Sequence, residues 1–187
     1  MVAVIISGIP LTLQRLADGH TVTGTFLGYL LLVTATSVWV AWRAIRDKHD
    51  PIAFTGPVYR GFGVANLAAG LGVLALGYSA GSPLLMGFSA VGLFAGQDML
   101  RKRARIVGRP LWWREEHYGA MLGNGVATHI AFLGLGLPRL MPMIDGTALH
   151  YVAWFGPLLV AIVAKPLLDR RFAARPRSAS GSALATT

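Results

Sequence analysis

Five apolar stretches dominate this chain, and each is long enough to cross a bilayer as a helix. They cover residues 22–42, 60–80, 83–99, 117–137 and 147–167. A hydrocarbon core of about 30 Å requires about 20 apolar residues, with backbone polar groups paired inside the span. The sequence therefore predicts an all-α integral membrane bundle of five full transmembrane helices plus a short N-terminal helix.

The cationic residues fall almost entirely on one side of this predicted bundle. Of the 17 Lys and Arg residues, 15 lie in the segments 43–60, 100–116 and 165–187, and only Arg15 and Arg139 lie opposite. Short cytoplasmic loops retain Lys and Arg, so these three segments are predicted to be cytoplasmic. With Arg outnumbering Lys 14 to 3, the prediction is a multi-pass protein of a bacterial plasma membrane.

Composition narrows the classes of partner. Mean hydropathy is +0.55, and only 13% of residues are charged, unlike an ordinary soluble domain. The net charge of +9 flanks apolar spans, which favours anionic lipid headgroups over nucleic acid. The chain has no cysteine, which excludes disulfides, thiol catalysis and thiolate metal sites. Neither a metal nor a cofactor is predicted.

The two ends of the chain differ from the spans in length and composition. Residues 1–13 extend only about 20 Å as a helix and contain Pro10, so they form a short or tilted helix or lie at the interface. Residues 175–187 are small and polar and are predicted to be a disordered cytoplasmic tail. The domain prediction is one transmembrane domain over 1–174. Close helix packing is expected at small pairs four residues apart, namely Ala65 and Ala69, Ala68 and Gly72, and Gly119 and Gly123.

Polar groups inside the spans are the candidates for function, because burying them in lipid is costly. Four lie near the predicted cytoplasmic boundary, where they are expected to converge on one cavity. Two more lie deeper, on the same face of the helix that begins near His117. The set is Asp98, Gln97, His117 and Asn66, with Met121 and Asn124 deeper.

Each candidate also has a structural explanation. Asp98 is followed closely by Arg101 and Arg103, so it can be a helix-end carboxylate neutralised by local cations. His117 can be a solvated interfacial histidine, and the two asparagines can be hydrogen-bond partners between helices. A separate possibility is that His129 and His150, with His20, bind haem or a metal.

Two resemblances add a possible chemistry. A pattern in the later helices resembles a family of small bacterial integral membrane proteins of unknown function, with a weaker earlier part at His20 and Gly28. The size and layout also resemble actinobacterial membrane-bound sesquiterpene cyclases, which act on prenylated indoles. The residues of the pattern are Asp98, Arg114, His117, Met121, Ala131, Phe132, Pro138, Trp154 and Pro157.

The second resemblance implies a reaction that begins by protonating an alkene or epoxide. Asp98 in an apolar cavity would hold the initiating proton, and His117 would relay it. Aromatic faces stabilise carbocations by about 0.5–2 kcal/mol each. The aromatic residues predicted to bind the substrate are therefore Phe62, Phe94, Trp112, Trp113 and Tyr118. The other predicted substrate-binding residues are Asn66, Gln97, Met121 and Asn124.

The leading hypothesis is thus a membrane-embedded enzyme that acts on a prenyl or lipid-like substrate by acid–base chemistry, most concretely a proton-initiated terpene cyclase. One alternative is a haem-binding or redox membrane subunit that uses His129 and His150. The other is a non-catalytic assembly or lipid-binding protein, in which every buried polar group is structural.

The predicted orientation can be checked by cysteine labelling, since the chain has no competing thiol. Ser82→Cys and Asp145→Cys are expected to react with an impermeant reagent added outside intact cells. His49→Cys and Ala104→Cys are expected to stay unlabelled until the membrane is opened. The opposite labelling pattern would reverse the orientation.

Overall fold

The computed structural model describes residues 1–136, 140–141, 143 and 146–172, and no strand forms in these ranges. The predicted all-α class is therefore confirmed. The predicted tail 175–187, together with Pro138, Arg139 and Asp145, lies outside the described residues. The helices are α1 (Val2–Ala17), α2 (Thr21–Arg46), α3 (Pro51–Phe54), α4 (Pro57–Ser79), α5 (Pro83–Val107), α6 (Trp112–Ile130), which continues as a π-helical segment (Ala131–Gly136), and α7 (Thr147–Phe172).

Four helical stretches within the described residues are long and apolar enough to span a membrane, which supports the membrane prediction. The predicted count of five full spans is not confirmed, because α6 is not among these stretches. Its first turns carry the charged residues Arg114, Glu115 and Glu116. The qualifying stretches are Thr21–Arg46, Pro51–Ser79, Pro83–Val107 and Thr147–Phe172.

Local sequence explains where these helices begin. Proline occupies the first turn of α3, α4 and α5, where a missing N–H costs nothing. The Asp50 carboxylate accepts from the amides of Ile52 and Ala53, which caps α3. The turn between α4 and α5 is short because Gly81 adopts φ +60°, a conformation that glycine tolerates best.

The long helices pack antiparallel to their neighbours. The N-terminal helix α1 is continuous. Its Thr12 lies beside Gly28 of α2, so α1 runs back along α2. α6 contacts both α2 and α7 extensively. The segments after α2, between α5 and α6, and at the end of α7 therefore meet at one end of the bundle. We refer to this as the basic end, because it carries nearly all the cations.

The tightest interface joins α4 to α5 through glycines. Gly63 and Gly70 on α4 lie against Met99 and Leu93 of α5, and the spacing of seven residues keeps them on one face. A Cβ added at Gly96 would lie 2.5 Å from the Gly63 carbonyl oxygen and 2.7 Å from the Leu67 amide nitrogen. Backbones can approach this closely only without side chains.

Some of the small pairs predicted from sequence serve other purposes. Gly72 faces open space, with no atom within 4 Å of an added Cβ. Gly119 and Gly123 lie beside Lys165 and Ser37, and both border a cavity described below. The prediction of close packing through small residues is correct for this bundle, but the contacting glycines of α4 and α5 are different ones.

Aromatic side chains form a packed core at the basic end. Phe54 of α3 is fully buried, and its ring centroid lies 4.7 Å from that of Trp112 and 5.0 Å from that of Tyr59. Phe62 and Trp113 pack against the same cluster. These rings anchor the segment between α2 and α4 onto α5 and α6.

The α4–α5 interface predicts a matched pair of outcomes. Gly96→Ala is expected to lower the free energy of unfolding by about 1–3 kcal/mol, because backbone must shift to admit the methyl group. Gly72→Ala, in α4 but facing open space, is expected to be neutral or slightly stabilising. Thermal unfolding in detergent micelles measures both, and equal midpoints would contradict the close approach of α4 and α5.

Candidate functional site

Asp98 lies at the basic end of α5 and is held by cations. Its carboxylate accepts from Lys102 at 3.2 Å and from Arg105 at 3.3 Å, and the side chain is 51% exposed. The local neutralisation expected as the structural explanation is therefore present, although the cations are Lys102 and Arg105 rather than Arg101 and Arg103. Asp98 does not line the cavities described below.

His117 does not meet Asp98. Its Nδ1 lies 2.9 Å from the Ala41 carbonyl oxygen on α2. Because a carbonyl oxygen only accepts, Nδ1 carries the hydrogen, and Nε2 is left as the free ring nitrogen. The predicted hydrogen bond between Asp98 and His117 is absent among the described residues, so the proposed proton relay lacks its first link.

A buried ion pair lies beside Asp98 instead. Lys102 donates to Glu116 at 2.6 Å, and the Glu116 side chain is only 7% exposed. The pair joins α5 to the start of α6, next to the buried rings of Tyr59 and Trp112. This location indicates a structural role, since the pair fixes α6 against α5 at the basic end.

The other sequence candidates divide into separate groups. Asn66 is fully buried and donates to Thr36 Oγ1 and to the Phe62 carbonyl oxygen, both at 2.8 Å, as an interhelical hydrogen-bond partner does. Gln97 lies half-buried next to Asp98 on α5. The predicted lining aromatics Phe62, Trp112 and Trp113 belong to the packed core at the basic end. The expected convergence on one cavity therefore does not occur.

Two cavities flank α2 and α6. The larger, which we call the central cavity, has a volume of about 600 Å³ and lies between α2, α5, α6 and α7. The smaller, which we call the side groove, has a volume of about 480 Å³ and lies between the start of α1, α2 and α6. Among the predicted residues, Phe94 borders the central cavity, whereas His117, Met121 and Asn124 line the side groove.

The walls of the central cavity are largely apolar. On α7 it extends from Leu158 to Asp169, which corresponds to about 16 Å at the rise of an α-helix. Phe94 at its edge is 72% exposed, so the cavity reaches the lipid-facing surface of the bundle. Its volume lies within the range of about 300–1,000 Å³ that is usual for small-molecule sites.

Tyr29 lines the end of this cavity that is far from the basic end, and its hydrogen bonds fix that end. Its hydroxyl donates to the Phe88 carbonyl oxygen and accepts from the Gly92 amide, both at 2.7 Å. These two α5 groups are four residues apart, on one face of the helix. The Tyr29 hydroxyl therefore links α2 to two backbone groups of α5, and Gly92 leaves room for the ring.

Charged groups occupy the opposite end of the central cavity, at the basic end of the bundle. Lys165 donates to both carboxylate oxygens of Asp169, at 2.6 and 2.9 Å. Tyr118 donates to the same carboxylate, and its ring centroid lies 5.3 Å from Lys165 Nζ. Asp169 thus accepts from two donors, one on α6 and one on α7.

The backbone adds a further polar group there. Pro166 lies inside α7 and has no amide hydrogen, so the Ile162 carbonyl loses the usual partner four residues later. Both residues line the central cavity. The polar end of the cavity therefore combines a neutralised ion pair and a backbone acceptor, and Tyr118, outside the lining, donates to Asp169.

Tyr118 is among the residues predicted from the sequence, whereas Lys165 and Asp169 are not. In the sequence, Lys165 is notable only as one of the cations of the cytoplasmic segment. The available signal was the spacing of four residues between an oppositely charged pair at the end of an apolar helix, which places both on one face. Their approach to Tyr118 on α6 could not be read from that spacing.

The histidines proposed as haem or metal ligands have other partners. His129 Nδ1 lies 2.7 Å from the Gly125 carbonyl oxygen, and His150 packs against Tyr151 and Trp154. His20 precedes α2 and is exposed. Across the described part of the chain, no group of three or more His, Asp or Glu side chains is placed to hold a metal ion.

Comparison with known proteins identifies no relative: no protein-family model, no curated protein and no solved structure matches this chain. Any function must therefore be argued from the cavities themselves.

The two acidic residues at the start of α6 provide a test of the structural assignments. Glu116→Gln is expected to lower the free energy of unfolding by about 1.5–3 kcal/mol, because a buried charge-assisted hydrogen bond is lost. Glu115→Gln removes a more exposed pair with Arg109 and is expected to cost less than about 1 kcal/mol. Denaturation in micelles compares them, and equal losses would refute the buried role of Glu116.

Proposed function

We propose that this protein is a membrane-embedded enzyme that binds a prenyl or similar lipid-like substrate in the central cavity and acts on it by acid–base chemistry. The observation that carries the proposal is an apolar cavity open toward lipid, with Tyr118, Lys165 and Asp169 assembled at one end. An apolar chain in the cavity would place its polar end among these three groups.

The dimensions of the cavity support a single apolar chain. A length of about 16 Å is roughly half of a hydrocarbon core of about 30 Å. A substrate dissolved in the bilayer can enter past Phe94 without crossing water. Its chain would lie along α5 and α6, against Phe88 and Val126.

The charges support a substrate whose polar end is uncharged. Lys165 is neutralised by Asp169 at 2.6 Å, so no unpaired charge is offered to an anionic head such as a diphosphate. Hydrogen-bonding capacity remains on the Lys165–Asp169 pair and on the Ile162 carbonyl, which line this end of the cavity. A hydroxyl, epoxide or amine on a prenyl chain is complementary to such a site.

Each group has a role in this chemistry. Asp169 lines the cavity and is positioned to transfer a proton, while Tyr118 and Lys165 donate to its carboxylate and hold it in place. Asp169 would carry a proton between two positions of the substrate, so the number of protons on the protein is the same before and after. The net change in the substrate is then an isomerisation.

A proton-initiated terpene cyclase is the most specific form of this proposal. Tyr29, Phe88 and Phe94 present aromatic rings along the wall, and such faces stabilise carbocations. The acid expected from sequence, Asp98, lies outside the lining, whereas Asp169 lies within it, so the central cavity favours Asp169 for the proton transfers. A lipid-binding protein without catalysis would use the same cavity but none of the proton transfers.

Two carboxylate variants separate these assignments. With linear prenylated compounds fed to expressing cells, Asp169→Asn is expected to reduce product formation by about 10²–10⁴-fold, as when a general base is lost. Asp98→Asn is expected to change it by less than a few-fold, because that carboxylate is ion-paired outside the cavity. Chromatography with mass spectrometry measures the products, and micelle unfolding confirms that both variants fold.

Binding is measured separately with a photoreactive farnesyl probe in membranes. Wild type and Asp169→Asn are both expected to be labelled, whereas Val126→Trp, which fills the cavity, is expected to block labelling. Labelling without any product from the wild type would establish the lipid-binding alternative. Loss of product only in Asp98→Asn would return the acid role to Asp98.

A further inference from the structure

The side groove differs from the central cavity in its charge. It lies at the basic end, on the opposite face of α2 and α6, with walls that include Val38 and Met121. Arg46, His117 and Asn124 also line it, and no acidic side chain does so within the described residues. One cation and two neutral polar side chains therefore face an apolar surface without a counter-charge.

Arg46 is the cation at the mouth of the side groove. Its guanidinium carbon lies 5.0 Å from the centroid of the Trp42 ring, which fixes the group against an apolar wall. Arg43, one turn earlier, is neutralised by Asp47. Arg46 has no such carboxylate among the residues that the structure describes, so its charge is available to a ligand.

Asn124 and His117 supply polar groups deeper in the same groove. Asn124 is 7% exposed, and its Oδ1 is buried without a hydrogen-bond partner, an arrangement that is costly unless something else satisfies the amide. His117 uses Nδ1 to bond the Ala41 carbonyl oxygen, which leaves Nε2 free. The amide lies about 10 Å further along α6 than the imidazole, at 1.5 Å per residue.

We propose that the side groove is a second ligand site, separate from the central cavity, for a single-chain amphiphile with an oxyanion head. The oxyanion would bind Arg46 at the membrane–water boundary, where lipid headgroups lie. The chain would lie on Trp42, Val38 and Met121. A hydroxyl next to the head, which a lysophospholipid has and a fatty acid lacks, would donate to His117 Nε2. A fatty-acid carboxylate and a lysophospholipid phosphate share this chemistry.

The charge of the ligand distinguishes the two sites. Lys165 in the central cavity is neutralised within the protein, and Arg46 in the side groove is not. The central cavity therefore suits an uncharged polar end, and the side groove suits an anion. The second site does not depend on catalysis in the first.

Binding to the full chain in detergent micelles tests this proposal, with native mass spectrometry and thermal unfolding as readouts. Val126→Trp is present throughout, so that the central cavity is filled and only the side groove is compared. The probes share an 18-carbon mono-unsaturated chain and differ in their heads: oleate, oleoyl lysophosphatidate, oleyl alcohol and oleylamine. One or both of the anionic probes should bind at least about tenfold more tightly than the alcohol and the amine, as a charge-assisted hydrogen bond requires. Which anion binds identifies the source, a free fatty acid or a phospholipid.

Variants localise the binding. Arg46→Gln is expected to weaken the anionic probes by about tenfold or more, whereas the matched Arg43→Gln, which alters an already neutralised cation, should not. Asn124→Leu is expected to keep or raise the stability of the free protein, because it removes an unsatisfied buried acceptor. Met121→Trp, at an exposed groove position, blocks the groove without touching a charge.

Three results would overturn the proposal. Equal affinity for oleyl alcohol and the anions would show that only the apolar wall binds. Equal losses in Arg43→Gln and Arg46→Gln would show general attraction to the basic end. Undiminished binding in Met121→Trp would place the anion elsewhere. Because the readouts are affinity and unfolding, none of these results depends on whether the central cavity is catalytic.

Discussion

The Tyr29 hydroxyl forms the connection on which the arrangement of α5 depends. It donates to the Phe88 carbonyl and accepts from the Gly92 amide, so α2 and α5 are joined through backbone groups that lipid cannot satisfy. On its other side, α5 is held by the glycine contacts with α4. A helix fixed from two directions can present one wall to an open cavity without collapsing into it.

Charge pairing divides the basic end into parts with different properties. Lys102 with Glu116 and Lys165 with Asp169 are neutralised within the protein, one beneath the aromatic core and the other beside the central cavity. Arg46 is left without a carboxylate among the described residues and borders the side groove. The same excess of cations that predicts membrane orientation therefore also sets the charge that each cavity offers to a ligand.

The candidate site shows how far periodicity reaches. His117, Met121 and Asn124 were placed on one face of a helix, and they do line one groove, because a single helix fixes their relation. The expected meeting of Asp98 with His117 was wrong, since it required a relation between helices. Asp98 is followed four residues later by Lys102, and that pair within one helix is the contact that forms.

The sequence by itself determined the helical class, the membrane character and the separation of charge, because these depend on local apolar length and composition. It also determined the start of several helices, through prolines and caps. Tertiary structure decided which glycines permit close contact, which aromatics become core, and that Tyr118 on α6 meets Lys165 and Asp169 on α7. Relations between helices depend on their rotation and depth, and lipid-facing and partner-facing sides of a membrane helix are similarly apolar.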